Sequence, residues 1–461
     1  TTNTMASTHP LDLDSLAMKQ TQAINHNVSI AKYAVRGELY LAAQDRLKEG
    51  KEVIMTNVGN PQGLGQKPIT FPRQVLSLLV APFLLDNPVI RAQFPDDVIA
   101  RVKDYRGMLA GGSVGAYTDS RGIPGVRQEV ANFIAERDGV PNVNPDDIYL
   151  TNGASAGVCR VLTCLLRSAQ DAVLVPIPQY PLYSASIDLH SGTLLPYYLN
   201  EDDAWSFSFE DIQKSVDAAR QAGQTVRAMV VINPGNPTGQ CMSKDGLQKL
   251  VKFCIQNRIV LMADEVYQGN VYQDERPFIS IHKILHDLPD PLSSMLELIS
   301  FHSASKGFLG ECGLRGGYLH MANCADNFKA DLYKILSVSL SPNVLGNLII
   351  GLMVRPPVAG QQSFALYHKE STDIISSMRR RAHMMTDGFN ACEGISCTFT
   401  EGAMYSFPRV ALPKRALKAA RAAGKASSPF NLLLSLPLPP PPPKHSNTLH
   451  IHTYIHTRTI Y

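Results

Sequence analysis

No apolar run in this 461-residue chain approaches the ~18–20 residues that a membrane-spanning helix requires. The N-terminus has no signal-peptide core either, and its first 20 residues hold two aspartates and one lysine, unlike an arginine-rich transit peptide. We therefore expect no contact with a membrane. The cytoplasm is the expected location, with a mitochondrial or peroxisomal location left open.

The chain also lacks a large excess of charge of either sign. It has 43 Lys and Arg against 40 Asp and Glu, a formal net charge of +3, so no nucleic-acid partner is indicated. The eight cysteines form no CxxC pair, and the two CxxxxC spacings match no zinc template, which favours free thiols in a reducing compartment and no metal site. No GxxxxGK[ST] phosphate loop occurs.

Acidic residues are absent after position 401, whereas the same segment, 402–461, holds eight Lys or Arg. Its last part contains five consecutive prolines, Pro439 to Pro443, and then repeats His, Ile, Thr and Tyr. A segment with this composition has no regular apolar period from which to build a core. We expect residues 426–461 to be a disordered, low-complexity tail.

Short apolar runs alternate with amphipathic helices between about residues 85 and 345. The runs lie at 171–178, 227–234 and 258–265. Strands that are apolar on both faces and separated by helices predict an α/β protein with a mostly parallel, doubly wound sheet. Residues 363–391 predict one long helix, residues 393–410 two strands with a turn, and residues 51–62 a strand followed by a turn.

The segment 300–317, SFHSASKGFLGECGLRGG, carries the strongest chemical signal. The amine of Lys306 can form an imine with a carbonyl group, while Ser303, Ser305 and Arg315 can hold a phosphate. The alternative is a Ser/Gly loop with a surface lysine.

Two further motifs follow apolar strands, INPGNPTGQ at 232–240 and MADEVYQG at 262–269. Open α/β sheets bind ligands at the carboxyl ends of their strands, so both motifs lie where a site is expected. Asp264 would end a buried strand, where a carboxylate needs a partner such as a pyridinium N–H, and the Tyr267 hydroxyl could reach the oxygen of the same ring. Each loop alone could be an ordinary turn, but the three motifs in this order favour a site.

The three motifs resemble those of the fold-type I, pyridoxal-phosphate-dependent aminotransferases, in particular alanine aminotransferase and its near relative glutamate–glyoxylate aminotransferase. The similarity covers roughly residues 10–425. The stretches that carry it are 33–41, 56–68, 71–78, 115–134, 178–185, 264–278, 378–390 and 399–408. The resemblance implies an enzyme that transfers an amino group between L-alanine and 2-oxoglutarate, with glutamate–glyoxylate transamination as the alternative.

The resemblance also implies roles for particular residues. Lys306 would hold the cofactor as a Schiff base and move the proton at the substrate's α-carbon. Asp264 would pair with the pyridine nitrogen, and Asn236 and Tyr267 would bond the phenolic oxygen. Tyr180 would stack on the ring. The phosphate would meet Ser303, Ser305, Arg315, the backbone at Ala154 and Ser155, and Tyr117 from the partner subunit of a homodimer. Gly59 and Asn60 would lie near the substrate carboxylate.

The expected organisation is an N-terminal arm (1–30), the first part of a small domain (31–84), a large cofactor-binding domain (85–345), the second part of the small domain (346–425) and the tail (426–461). In the family, a strand of the small domain beyond this similarity carries an arginine that clamps the substrate's α-carboxylate, and the tail offers no counterpart. We therefore expect an incomplete small domain, and a catalytically silent dimer that binds pyridoxal phosphate is a further alternative.

Overall fold

The computed structural model describes residues 24–31, 33, 38–53, 55 and 59–422. Its α-helices are α1 His26–Ile30, α2 Glu38–Lys48, α3 Thr70–Val80, α4 Pro88–Arg91, α5 Asp96–Met108, α6 Pro124–Asp138, α7 Ala154–Leu165, α8 Leu182–Leu189, α9 Phe209–Gln221, α10 Lys244–Asn257, α11 Ile281–His286, α12 Asp326–Ser337, α13 Val344–Val354, α14 Phe364–Asn390 and α15 Lys414–Ala422. The strands are β1 Ile148–Asn152, β2 Asp171–Ile177, β3 Thr193–Tyr198, β4 Thr225–Ile232, β5 Val260–Asp264, β6 Leu298–Ser303, β7 Gly316–Ala322, β8 Ile395–Ser396 and β9 Arg409–Val410.

Strands β1 to β7 form one sheet in the order β1-β7-β6-β5-β4-β2-β3. The pairs β2–β3, β2–β4, β4–β5 and β5–β6 are parallel, and β7 runs antiparallel to both β1 and β6. The predicted α/β fold with a mostly parallel sheet is confirmed.

Side chains of the central strands alternate between two apolar layers. In β4, Ala228, Val230 and Ile232 pack in a cluster that includes residues of α7 and α8, whereas Met229 and Val231 pack with residues of α9 and α10. Because successive side chains of a strand point to opposite faces, both faces of the sheet are buried under helices. The continuous apolar runs in the sequence reflect this double burial.

Helices α3 and α13 pack in a third cluster, which also holds Ile148 and Leu150 of β1 and Tyr318 of β7. These helices come from segments on either side of the expected large domain, 31–84 and 346–425. The division of the chain into domains stays a prediction.

Helix α14 confirms the long helix predicted over residues 363–391. The two strands predicted over 393–410 are reduced to the two-residue pair β8–β9. The loop between them bonds to other segments, with Gly402 N–H donating to Gly239 O at 2.8 Å and Ala403 N–H to Asn270 O at 3.0 Å. Its backbone groups are satisfied outside a hairpin, so a longer ladder does not form.

The strand predicted within residues 51–62 is wrong for the described part of that segment, residues 51–53, 55 and 59–62, where no strand occurs and a turn begins at Pro61. The expected tail, 426–461, lies outside the described residues. Within the described ranges, no helix has the length and apolar character needed to cross a membrane. All eight cysteines are free thiols in the structure.

Candidate active site

The three sequence motifs meet at one edge of the sheet. Ile232 at the end of β4 lies opposite Asp264 at the end of β5, and Asp264 lies opposite Phe301 in β6. Because β7 is antiparallel, its first residue, Gly316, reaches the same edge and pairs with Asn152 at the end of β1. The carboxyl ends of four strands and the start of a fifth therefore surround a single site, as expected for an open α/β sheet.

Asp264 is 6% exposed and has few partners among the described residues. The Tyr183 hydroxyl donates to Asp264 Oδ2 at 2.7 Å, and the Val266 N–H lies 3.5 Å from Oδ1. Burial raises the pKa of this carboxyl, while the Tyr183 hydroxyl and the Lys306 charge act in the opposite direction. A buried carboxylate held by one neutral hydroxyl lacks a cationic N–H partner, and a protonated ring nitrogen is a group that supplies one.

Lys306 follows β6 and is half-buried. Its Nζ lies 5.1 Å from the centroid of the buried Tyr267 ring. The Asn236 amide donates to the Tyr267 hydroxyl at 3.3 Å. The structure therefore brings one residue from each of the three motifs into contact range.

Tyr180 is close enough to this group for the Lys306 charge to lower the pKa of its hydroxyl and for the Tyr267 hydroxyl to raise it. Burial raises the pKa of Tyr180, and a hydrogen bond of 2.9 Å shared with the Tyr33 hydroxyl adds to this shift. The two rings meet edge to face with centroids 6.5 Å apart. Tyr33 thus fixes the position of a ring that was predicted to stack on a ligand.

An anion cradle forms where β1 passes into α7. Gly153 precedes the helix with φ +79°, and no side chain caps the N–H groups of the first turn, which begins at Ala154 and Ser155. Arg315 extends over this turn, and its Nη2 lies 3.2 Å from both Asn152 O and Ser155 Oγ. Free N–H groups, the helix dipole and a guanidinium together suit a phosphate group.

Two glycines keep this cradle open. A Cβ on Gly153 would lie 2.3 Å from Arg315 Nη2, and a Cβ on Gly317 would lie 2.4 Å from the Ala154 nitrogen. Both distances are shorter than any real contact, so larger residues would displace the arginine or the start of the helix.

The two serines of the lysine motif differ in their bonding. Ser303 donates its only proton to Gly316 O at 3.0 Å and accepts from Ser305 N–H at 3.1 Å. Ser305 Oγ is buried and has no hydrogen-bond partner in the part of the chain described. A buried hydroxyl without a partner fits a missing ligand oxygen, so the residues present fit pyridoxal phosphate at its ring, its phosphate and its lysine.

Tyr183 and Tyr405 are site residues that the motif analysis did not single out. The Tyr405 hydroxyl accepts the Gly59 N–H at 3.0 Å. It belongs to the loop between β8 and β9, whose Ala403, Met404 and Tyr405 pack on Val266 and Tyr267. Both tyrosines lie within stretches that carry the family resemblance. That resemblance was the only feature of the sequence that could have indicated them as site residues.

The remaining predicted residues, Gly59, Asn60 and Tyr117, lie outside the group formed by the three motifs. Gly59 is held by Tyr405, and Asn60 is exposed next to it. Tyr117 is 75% exposed, and within the described ranges no hydrogen bond or ring contact joins it to the other predicted residues. An exposed aromatic side chain is compatible with a role at a subunit interface.

The chain matches the family described as "Aminotransferase class I and II" over residues 87–426. It is 55% identical over 419 residues to glutamate–glyoxylate aminotransferase 2 of Arabidopsis thaliana, covering 91% of this chain and 87% of that protein. It is 45% identical over 436 residues to a probable mitochondrial alanine aminotransferase of Dictyostelium discoideum, covering 91% and 81%. Among solved structures, an alanine aminotransferase from Pyrococcus furiosus shares the fold with a TM-score of 0.66 and 21% identity, covering 85% of each chain.

Proposed function

Because the chain belongs to the class I and II aminotransferases, which use pyridoxal phosphate, we propose that it exchanges an amino group between L-alanine and 2-oxoglutarate, giving pyruvate and L-glutamate. The observation that carries the proposal is the juxtaposition of Lys306, Tyr267 and the under-partnered Asp264 beside the cradle at the start of α7. The named alanine aminotransferases among the relatives support alanine as the donor.

When bound, the cofactor draws electrons from the substrate's α-carbon and carries the amino group between the two half-reactions. Lys306 Nζ would hold the cofactor covalently. Once released, its amine would take the proton from the substrate's α-carbon as a base and give it up again as an acid. Its half-buried position beside the Tyr267 ring limits the access of water to the amine.

Asp264 would keep the ring nitrogen of a bound cofactor protonated, because the transfer of that proton to the carboxylate would leave a buried neutral pair without charge-assisted bonding. The Tyr183 hydroxyl holds the carboxylate in place. Asn236 and Tyr267, already bonded to each other, would orient the phenolic oxygen, and Tyr180 would cover one face of the ring.

The phosphate would be bound by Arg315, by the backbone N–H groups at Ala154 and Ser155, and by the Ser305 hydroxyl, which has no partner among the described residues. Ser303 contributes indirectly in this arrangement, because its proton is already donated to Gly316 O and its oxygen fixes the Ser305 backbone. Tyr117 would reach the phosphate of the partner subunit in a homodimer, and Gly59 and Asn60 would approach the substrate carboxylate.

A second candidate is transamination between glutamate and glyoxylate. Glutamate–glyoxylate aminotransferases 1 and 2 of Arabidopsis thaliana are 55% identical to this chain, whereas the probable alanine aminotransferase of Dictyostelium discoideum and alanine aminotransferase 2 of Panicum miliaceum are 45% identical. Both candidates share the five-carbon pair glutamate and 2-oxoglutarate. Comparing kcat/KM for pyruvate and for glyoxylate, with L-glutamate as donor, separates them. Preference for pyruvate by tenfold or more supports the proposal, and the reverse preference supports glyoxylate. The cytoplasmic location stays a prediction.

A further inference from the structure

A cavity of about 560 Å³ opens between the inner face of α14 and the loop that begins at Gly59. Its wall is largely apolar and includes Met55, Ile374, Met378 and Met404. It shares Gly59, Asn60 and Tyr405 with the candidate active site. The cavity is therefore continuous with the place where the substrate carboxylate is expected.

Two cationic side chains, Lys67 and Arg381, line this cavity. Neither has an ion pair or hydrogen bond with any described residue, whereas the neighbouring Arg379 pairs with Asp274 at 2.8 Å. The one carboxylate of the lining, Asp373, is held by Lys369 at 2.5 Å. The cavity thus combines an apolar wall with two unpaired positive charges, a combination that attracts an anion.

The cavity is connected to Lys306 through the side chains of Tyr405 and Tyr267. Tyr405, which lines it, accepts the Gly59 N–H and packs against Tyr267, and Lys306 Nζ lies over the Tyr267 ring. A substrate with its α-carbon at Lys306 and its α-carboxylate near Gly59 would extend a longer side chain past Tyr405 into the cavity. A one-carbon side chain, as in alanine, would not reach it.

We propose that Lys67 and Arg381 bind the distal carboxylate of the five-carbon substrates, glutamate and 2-oxoglutarate. The inference rests on the proposed function, which requires the site to accept both a dicarboxylate pair and the monocarboxylate pair alanine and pyruvate. The apolar wall contacts the methylene groups, and the two cations contact the second carboxylate. Lys67 and Arg381 then determine the affinity for glutamate and 2-oxoglutarate and leave the affinity for alanine and pyruvate unaffected.

The test compares the full-length holoenzyme with Lys67→Met, Arg381→Met and the double variant. We expect the double variant to raise KM for glutamate and 2-oxoglutarate about tenfold, the effect of losing charge-assisted contacts at a partly exposed site. The rate of the half-reaction with alanine should stay within twofold of wild type, which shows that the variant is folded. Arg380→Met is the matched control, because Arg380 is exposed on the same helix and does not itself line the cavity, although it bonds to Ser377 of the cavity wall.

Direct binding of glutarate and butyrate, measured by calorimetry, separates this inference from the proposed function. Glutarate should bind the wild type about tenfold more tightly than the double variant, and butyrate should bind both equally. Equal affinity of glutarate for both proteins would overturn the inference even if transamination occurs. If the wild type shows no turnover but still binds glutarate more tightly than the double variant does, the proposed function is overturned and the carboxylate site is supported.

Discussion

Replacing Tyr183 by phenylalanine removes the hydroxyl that donates to Asp264 Oδ2 at 2.7 Å. Both side chains are buried, so no solvent molecule takes over the bond without entering the core. The hydroxyl stabilises the ionised carboxylate and opposes the rise in its pKa that burial causes. In the variant, the pKa of Asp264 is therefore higher, and the carboxyl is protonated over a wider range of pH.

A hydrogen bond to a charged group contributes ~1.5–3 kcal/mol, and each ~1.4 kcal/mol changes a rate or an equilibrium about tenfold. We therefore expect kcat/KM to fall ~10–100-fold at the acid end of its pH profile, since Asp264 must be ionised to hold the proton on the ring nitrogen. The loss should shrink as pH rises, because the carboxyl becomes ionised again. The acid limb of the profile should move to higher pH.

The assay is kcat/KM for glutamate across the pH range for the wild type and Tyr183→Phe, both saturated with pyridoxal phosphate. Tyr197→Phe is the matched control, since the buried Tyr197 hydroxyl donates to a backbone carbonyl, Val230 O at 2.8 Å, away from the site. An unchanged acid limb together with a loss of less than twofold would refute the role assigned to Tyr183.

Three other predictions follow from the same contacts. Asp264→Asn should lower kcat/KM at least tenfold without destabilising the cofactor-free protein, because it removes a poorly paired buried carboxylate; turnover within twofold of wild type would contradict this. Burial raises the pKa of Glu265 from 4.5 to about 7, so folding becomes less favourable as pH rises between these values. The free energy of unfolding of Glu265→Gln and of the wild type is measured at about pH 5 and about pH 8. The variant should be more stable than the wild type by up to ~3 kcal/mol at about pH 8 and by less at about pH 5; the same difference at both pH values would count against this prediction. Ser305→Ala should weaken pyridoxal phosphate binding by about tenfold, whereas Ser303→Ala should mainly lower the melting temperature; equal cofactor affinity of the two variants would show the assignment wrong.

The strands and their ends could be predicted from the sequence because both faces of the sheet are buried. A strand covered on both sides has a continuous apolar run, and the first polar residue after it marks the edge of the sheet, as at Asp264. The lysine motif was recognisable for a related reason, because its two serines and its lysine lie together within residues 303–306. Ala154 and Ser155 were indicated only by the family resemblance.

Contacts between distant segments could not be predicted in this way. Tyr183 and Asp264 are 81 positions apart, and Tyr405 and Gly59 are 346 apart. No local pattern marks such a tyrosine, because its partner is decided by how the loops pack at the edge of the sheet. The strand predicted within 51–62 is absent from residues 51–53, 55 and 59–62, because a short apolar run specifies a strand only where another strand pairs with it.

Single-turnover transfer from L-alanine tests the central claim most directly, which is that Lys306 is the reacting lysine of an aminotransferase. The full chain loaded with pyridoxal phosphate is mixed with excess L-alanine in the absence of any acceptor, and pyruvate is measured per cofactor site. The wild type and a Lys283→Ala control should form about one pyruvate per site, and Lys306→Ala should form none on the same timescale. Pyruvate formation by Lys306→Ala at the wild-type rate, or a wild type that binds the cofactor and forms no pyruvate, would contradict the account.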